Sequence, residues 1–200
     1  TINLLISGTA NQIGIANFYI SIGGQSCTVS IPVAVELGDS YQGGIVAHID
    51  NTGEHGFIVA KSDRRNVVYT FPWTTAAFQN IAVPSLAAMG LNDGLFNTNA
   101  IVGQAGNGDT YAAGLCVSSS AGGYSDWYLP AKSQLDLLYT NRATIEIGLL
   151  ANSGSAFTNT AYWSSTEFSA TDAWLKSFSD GTSNTGSKSG LWRIRPIRNF

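Results

Sequence analysis

Apolar and polar residues alternate with a period of two near the start of the chain, the pattern of a strand that covers one face. Residues 16–22 are β-rich, Gly23-Gly24 is a turn signal, and residues 27–31 alternate again, so this end reads as a hairpin. A second hairpin is expected from residues 43–50 and 55–60 around the turn at 51–54. Residues 61–94 are irregular, punctuated by Pro72-Trp73 and Pro84. Helical spacing follows in two short pieces between Thr98 and Val117, through Ala100 and Ile101, then Ala112, Leu115 and Cys116. Pro130 precedes a clearer helix from Ser133 to about Arg142, with Leu135, Leu138 and Tyr139 on one face. The last forty residues return to strands at 161–164, 173–178 and 191–197, joined by Ser/Thr/Gly/Asn loops.

Length and composition narrow this picture. The 200 residues hold one full domain and at most a fragment of another. Only 12% are charged, about half the roughly 25% of ordinary soluble domains. Gly, Ser, Thr and Asn supply 76 residues in their place. An apolar content of 44% excludes disorder, and no apolar run is long enough to span a bilayer. The net charge of −3 is uneven: residues 161–200 carry five bases against three acids. That end is too weakly basic for nucleic acid but suits an anionic ligand such as a sulfated or uronic-acid glycan. Cys27 and Cys116 permit one disulfide or two separate buried thiols. Met89 is the one methionine and the chain opens on Thr1, so it reads as a trimmed piece of a longer protein.

Candidate chemistry is sparse. Asp126 and Glu167 could serve as the acid and base of a glycosidase, but turn caps or partners of Arg193 and Arg195 fit them better, because buried charges need partners. His48 and His55 sit on opposite arms of the second hairpin with no third ligand, so they read as structural. There is no nucleophile elbow and no phosphate loop, and no enzymatic activity is expected. Asn92-Asp93-Gly94 and Asn107-Gly108-Asp109 offer oxygen ligands, yet such loops are mostly turns. No cofactor is expected, and calcium is the one ion left open. Trp127 and Trp163 read as core, whereas Trp174 and Trp192 suit either core or a ligand face.

Several ordered motifs together resemble a family. They are residues 38–47, residues 55–60, residues 97–101, residues 111–116, the Gly-Gly-Tyr-Ser-Asp-Trp-Tyr-Leu-Pro of 122–130, the Tyr-Trp-Ser-Ser-Thr-Glu of 162–167, Ala173-Trp174 and the Arg-Ile-Arg-Pro-Ile-Arg of 193–198. The chain from about residue 37 to 200 is similar to the C-terminal domain of bacterial collagen-like adhesins of the Lcl type. The resemblance implies an α+β, C-type-lectin-like domain with two helices and small irregular antiparallel sheets, its N- and C-terminal strands paired. It also relates the domain to formylglycine-generating-enzyme-like and retroelement-diversified variable proteins, though no cysteine follows Cys116 to supply the former's chemistry. The calcium-lectin strings Glu-Pro-Asn, Gln-Pro-Asp and Trp-Asn-Asp do not occur. The first hairpin resembles the end of an immunoglobulin-like surface repeat, since some 35 residues cannot close a sandwich of about seven strands. Residues 1–36 are thus expected as a terminal or docking hairpin and 37–200 as the lectin-like domain.

The implied role is extracellular, on a secreted or cell-surface protein: noncovalent binding of a glycan or protein on a cell or host surface, without nucleic acid or membrane span. Two alternatives are a structural subunit of a fibre or homo-oligomer assembled through the N-terminal strands, and a phage or retroelement-diversified receptor-binding protein. The expected ligand surface is the terminal sheet, with Phe168, Trp174, Lys176, Ser177, Asn184, Thr185, Lys188 and Trp192 as ligand-binding residues. Strand parity predicts Trp174 and Phe178 pointing inward and Leu175, Ser177 and Ser179 outward.

Overall fold

A computed structural model describes residues 14–64, 70–84 and 92–200. It opens with β1 (Gly14–Ile22) and β2 (Gln25–Val33), antiparallel around Gly23-Gly24. Both turn glycines have positive φ, 60° and 82°, as a two-residue type I′ turn requires. Phe18 faces Val29 and Ile20 faces Cys27, so with Ala16 and Ile31 one side of the ribbon is apolar. Asn17, Tyr19, Thr28 and Ser30 occupy the other. Among the described residues the two strands pack substantially only on each other. Cys27 is exposed and Cys116 buried, both as free thiols.

The chain enters the main body at Val35, buried with Tyr41, Val46, Ile58 and Trp127. Strands β3 (Ser40–Tyr41), β4 (Gly44–Ile49) and β5 (Gly56–Ala60) form an antiparallel meander, and β9 (Ile197–Asn199) adds to the free side of β5. The last strand of the chain therefore joins the first sheet of the main body, Val59 opposite Ile197. A second meander joins β6 (Ala161–Glu167), β7 (Asp172–Ser177) and β8 (Ser183–Ser187).

Among the described residues four α-helices lie between the sheets, where the family resemblance implies two. α1 (Gly94–Ala105) is capped by the Asp93 carboxylate, which accepts from the Phe96 amide. α2 (Ala112–Val117) is buried along most of its length. α3 (Lys132–Thr140) stops at Asn141, whose side chain donates to the Ala47 carbonyl at 3.0 Å, and α4 (Arg142–Ala151) starts immediately after. The domain is α+β, with small antiparallel sheets.

The core is rich in tryptophan. Trp73, Trp127 and Trp163 are fully buried, each removing roughly 150–250 Å² from water, worth about 4–6 kcal/mol before entropy. Each indole N–H finds a carbonyl: Trp73 to Ser164, Trp163 to Phe71 and Trp127 to Ala121. The first two bonds clamp the irregular stretch near Pro72 onto β6.

Charges close the structure. Asp63, just after β5, accepts Arg195 Nε at 2.6 Å, Arg193 Nη1 at 2.9 Å and the Tyr162 hydroxyl at 3.0 Å. Arg195 is fully buried and also donates to the carbonyls of Ala60, Ser155 and Ala156. Arg198 grips Asp126 with two bonds of 2.6 and 2.8 Å and stacks 4.0 Å from the Tyr124 ring. The acids thus partner the C-terminal cations, but Asp126 takes Arg198 rather than Arg193 or Arg195.

Removing the Asp63 charge strands two guanidiniums, one of them fully buried. Asp63→Asn is expected to cost about 3–5 kcal/mol of unfolding free energy, checked by urea denaturation of both forms. The Arg198 guanidinium holds the Asp126 carboxyl below its usual value, with burial opposing. At Asp136 burial pushes upward but hydrogen bonds from Lys176 and Lys132 outweigh it, so the net shift is also downward. A carboxylate with a lowered folded pKa stabilises the fold above its unfolded pKa of about 3.9 and loses that contribution as pH falls through the folded value. Melting temperature should therefore decline below about pH 4, and Asp126→Asn should make the decline shallower in melts recorded across that range.

Candidate ligand-binding face

β7 has its alternation opposite to the parity expected from sequence. Ala173 and Leu175 point into the core beside Trp163 and Ile194, so Leu175 is not an outward residue. Trp174 and Lys176 occupy the other face of the sheet, where α3 lies across them. That face is only partly open, because α3 covers its centre and Phe178, just past the strand, packs fully buried against Tyr139 and Tyr162.

An aromatic and cationic cluster forms at the open rim. Phe168 is 57% exposed and meets the half-buried Trp174 edge-on at 5.3 Å. Lys132 Nζ lies 5.4 Å from the centre of the Trp174 ring, within cation–π range. The same ammonium pairs with Asp136 at 3.1 Å, and Lys176 pairs with the other Asp136 oxygen at 2.7 Å. Lys176 also covers the Tyr139 ring at 5.3 Å, and the Ser183 hydroxyl donates to Asp136. Thr185 stands exposed directly across from Trp174, with Ser187 across from Asp172. The result is an aromatic ledge of two rings set edge to face, with hydroxyls on one side and a braced ammonium on the other. Such a ledge can stack on a sugar ring or an apolar side chain and donate to its oxygens.

Of the residues expected to bind ligand, Phe168, Trp174 and Thr185 come together here, whereas Lys176 is buried with its ammonium spent on Asp136 and the Tyr139 ring. Asn184 is exposed on the opposite side of β8, paired with Leu175, its amide donating to the Thr182 hydroxyl. Ser177 shares a hydrogen bond with Ser179 beyond the end of the ledge. Trp192 is half-buried against the core cluster, its indole nitrogen beside Gly186 and Gly190. Lys188 is the clearest departure. It is fully buried, bonded to Glu167 at 2.5 Å and to the carbonyls of Ile81 and Ala170, with the Trp73 ring 4.9 Å away. Its ammonium has no face left for a ligand. Glu167 is correspondingly occupied, holding Lys188 and the Val83 amide. Lys132 and Asp136 were not anticipated, although their i,i+4 spacing on a helix announces a pair.

A cavity of about 760 Å³ lies elsewhere, lined by Gly43 and Gly122, by residues 60–64 and by Ser155, Thr158 and Arg193. Gly43 and Gly122 meet backbone to backbone, both at positive φ, and a Cβ on Gly122 would fall 2.3 Å from the Gly43 Cα. Among the described residues no three His, Cys, Asp or Glu side chains converge on a metal position, and no helix is long and apolar enough to cross a membrane. Burial raises the Cys116 thiol, and it raises the Tyr111 hydroxyl to about 12, so neither ionises near neutral pH. Truncating Lys188 leaves Glu167 unpaired in a nearly closed site. Lys188→Ala should lose about 3–5 kcal/mol of stability, a loss that calorimetric melts would register.

No curated protein matches this chain. The family model of the Lcl C-terminal domain matches residues 72–198, which include the whole aromatic ledge, the Asp126–Arg198 pair and the three-stranded terminal sheet. The chain belongs to the Lcl C-terminal domain family.

Proposed function

We propose that this domain is an extracellular recognition module that binds a surface glycan or protein noncovalently through the ledge of Phe168 and Trp174. Membership of the Lcl C-terminal family points to a surface-related protein. The carrying observation is the exposure of Phe168 on a braced Trp174, because an exposed aromatic beside a polar rim is the composition of an interaction site. Lys132, Thr185 and Ser187 supply the rim, and the Asp136 network fixes its cationic side. In this reading the α+β body follows the C-type-lectin-like arrangement, and the first hairpin is the end of an immunoglobulin-like repeat.

A second reading is favoured by that hairpin. β1 and β2 carry no charged residue and expose Ile22, Val29 and Ile31. A lone two-stranded ribbon is marginal in water, and unprotected edges invite strand addition. A fibre or oligomer subunit joined through these strands would show a solution mass above 21.1 kDa that falls back when Val29 and Ile31 become Lys.

Glycan-array and surface-protein panels probe the first reading directly. Trp174→Ala and Phe168→Ala should each weaken the bound partner by about tenfold or more, since a stacking aromatic contributes roughly 1–3 kcal/mol. Unchanged binding in both variants would remove the ledge from the function.

A further inference from the structure

Nine of the ten Lys and Arg residues lie among the described residues. Seven of the nine pair with a carboxylate. Lys61 and Arg64 do not, and both line the same cavity, three residues apart on the segment that leaves β5. All thirteen acidic residues are among the described residues, and none of them pairs with Lys61 or Arg64.

Arg64 commits only its Nε, to the Leu115 carbonyl at 3.0 Å, which leaves the two terminal guanidinium nitrogens without an acceptor among the described residues. The Lys61 ammonium has none either. Arg193 adds a third cation to the wall. The acid in the lining, Asp63, is already saturated by Arg193, Arg195 and the Tyr162 hydroxyl, so it presents no open carboxylate to repel an anion. The cavity therefore holds an excess of two positive charges over Asp63. Ser62 and Thr158, both exposed, add hydroxyls to the same lining. Its volume, about 760 Å³, falls within the roughly 300–1,000 Å³ of small-ligand sites.

A guanidinium fork beside an ammonium matches an oxyanion, and hydroxyls around it match a hydroxylated body. We propose that this cavity binds a sugar acid, one carboxylate on a hydroxylated ring, with Arg64 and Lys61 holding the carboxylate. The carboxylate sits against the Arg64 terminal nitrogens, and Ser62 and Thr158 address the ring. This site is separate from the aromatic ledge and stands or falls without it.

The test is titration of the 200-residue chain with glucuronate, glucose and inorganic phosphate at low salt, by calorimetry or amide chemical shifts. Glucuronate should bind at least about tenfold more tightly than glucose, because a charge-assisted hydrogen bond is worth that factor or more. Lys61→Gln and Arg64→Gln should each weaken glucuronate about tenfold, and Trp174→Ala should leave it unchanged. Binding should also weaken as salt rises. Lys61→Gln removes no hydrogen bond among the described residues, so its result decides the matter even if Arg64→Gln fails to fold. Equal affinity for glucose, phosphate binding as tight as glucuronate, no effect of Lys61→Gln, or loss of glucuronate in Trp174→Ala would each overturn the assignment. The phosphate result would mean that the cavity reads charge alone. The Trp174 result would assign the acid to the ledge.

Discussion

Asp63 joins three separate parts of this structure through one carboxylate. It stands where β5 ends and takes two arginines from the terminal segment together with a tyrosine hydroxyl from β6. Its partner Arg195 then reaches the carbonyls of Ser155 and Ala156 in the loop between α4 and β6. One carboxylate so fixes the first sheet, the last residues and the entry to the second sheet in a single arrangement. Burying the Arg195 guanidinium is costly in itself, and the arrangement holds only because its donors are met by carboxylate and carbonyl oxygens. Apolar packing alone could not set this register, since the three hydrophobic clusters would tolerate sliding far better than a forked ion pair.

The same economy shapes the ledge. β7 is covered on one face by the tryptophan-rich core and on the other by α3, which leaves open the rim where α3 begins, at Lys132 beside Trp174. Asp136 holds Lys132, Lys176 and the Ser183 hydroxyl at once, joining helix to sheet directly beneath Trp174. Phe168 and Trp174 are thus presented by a rigid support rather than by a loose loop. Pre-organisation of this kind lowers the ordering cost of binding.

The parts of the fold legible in sequence were those with a simple period. Both hairpins, α3 and the β6–β7 region followed from alternation of two or spacing of 3.6. α4 escaped because Ile147 and Leu150 are exposed while Ile145 and Leu149 are buried, so its apolar residues surround the helix and show no stripe. β8 escaped because residues 183–187 contain no apolar side chain beyond glycine, and its strand character comes from pairing with β7. Residues 191–197 looked like a strand but make isolated bridges, because Arg193 and Arg195 turn inward to Asp63. Lys188 misled for a related reason. Flanked by serines, it reads as solvent-facing, and only the fold brings Glu167 and the Ile81 carbonyl around it.

Residues 61–65 are the converse case, a concentration of charge that was visible in a charge-poor chain but lay in a stretch without periodicity. Seven of the nine described Lys and Arg side chains are spent on internal pairs, and exposed charges are screened over about 8 Å at physiological salt. Two unspent cations in one concavity are then the dominant local electrostatic feature, not one patch among many. The scarcity of charge that makes the surface bland elsewhere is what allows a small anion to distinguish this cavity from the rest of the molecule. It follows that specificity here depends on the seven internal ion pairs as much as on Lys61 and Arg64, because any pair that opened would offer the same ligand a competing site.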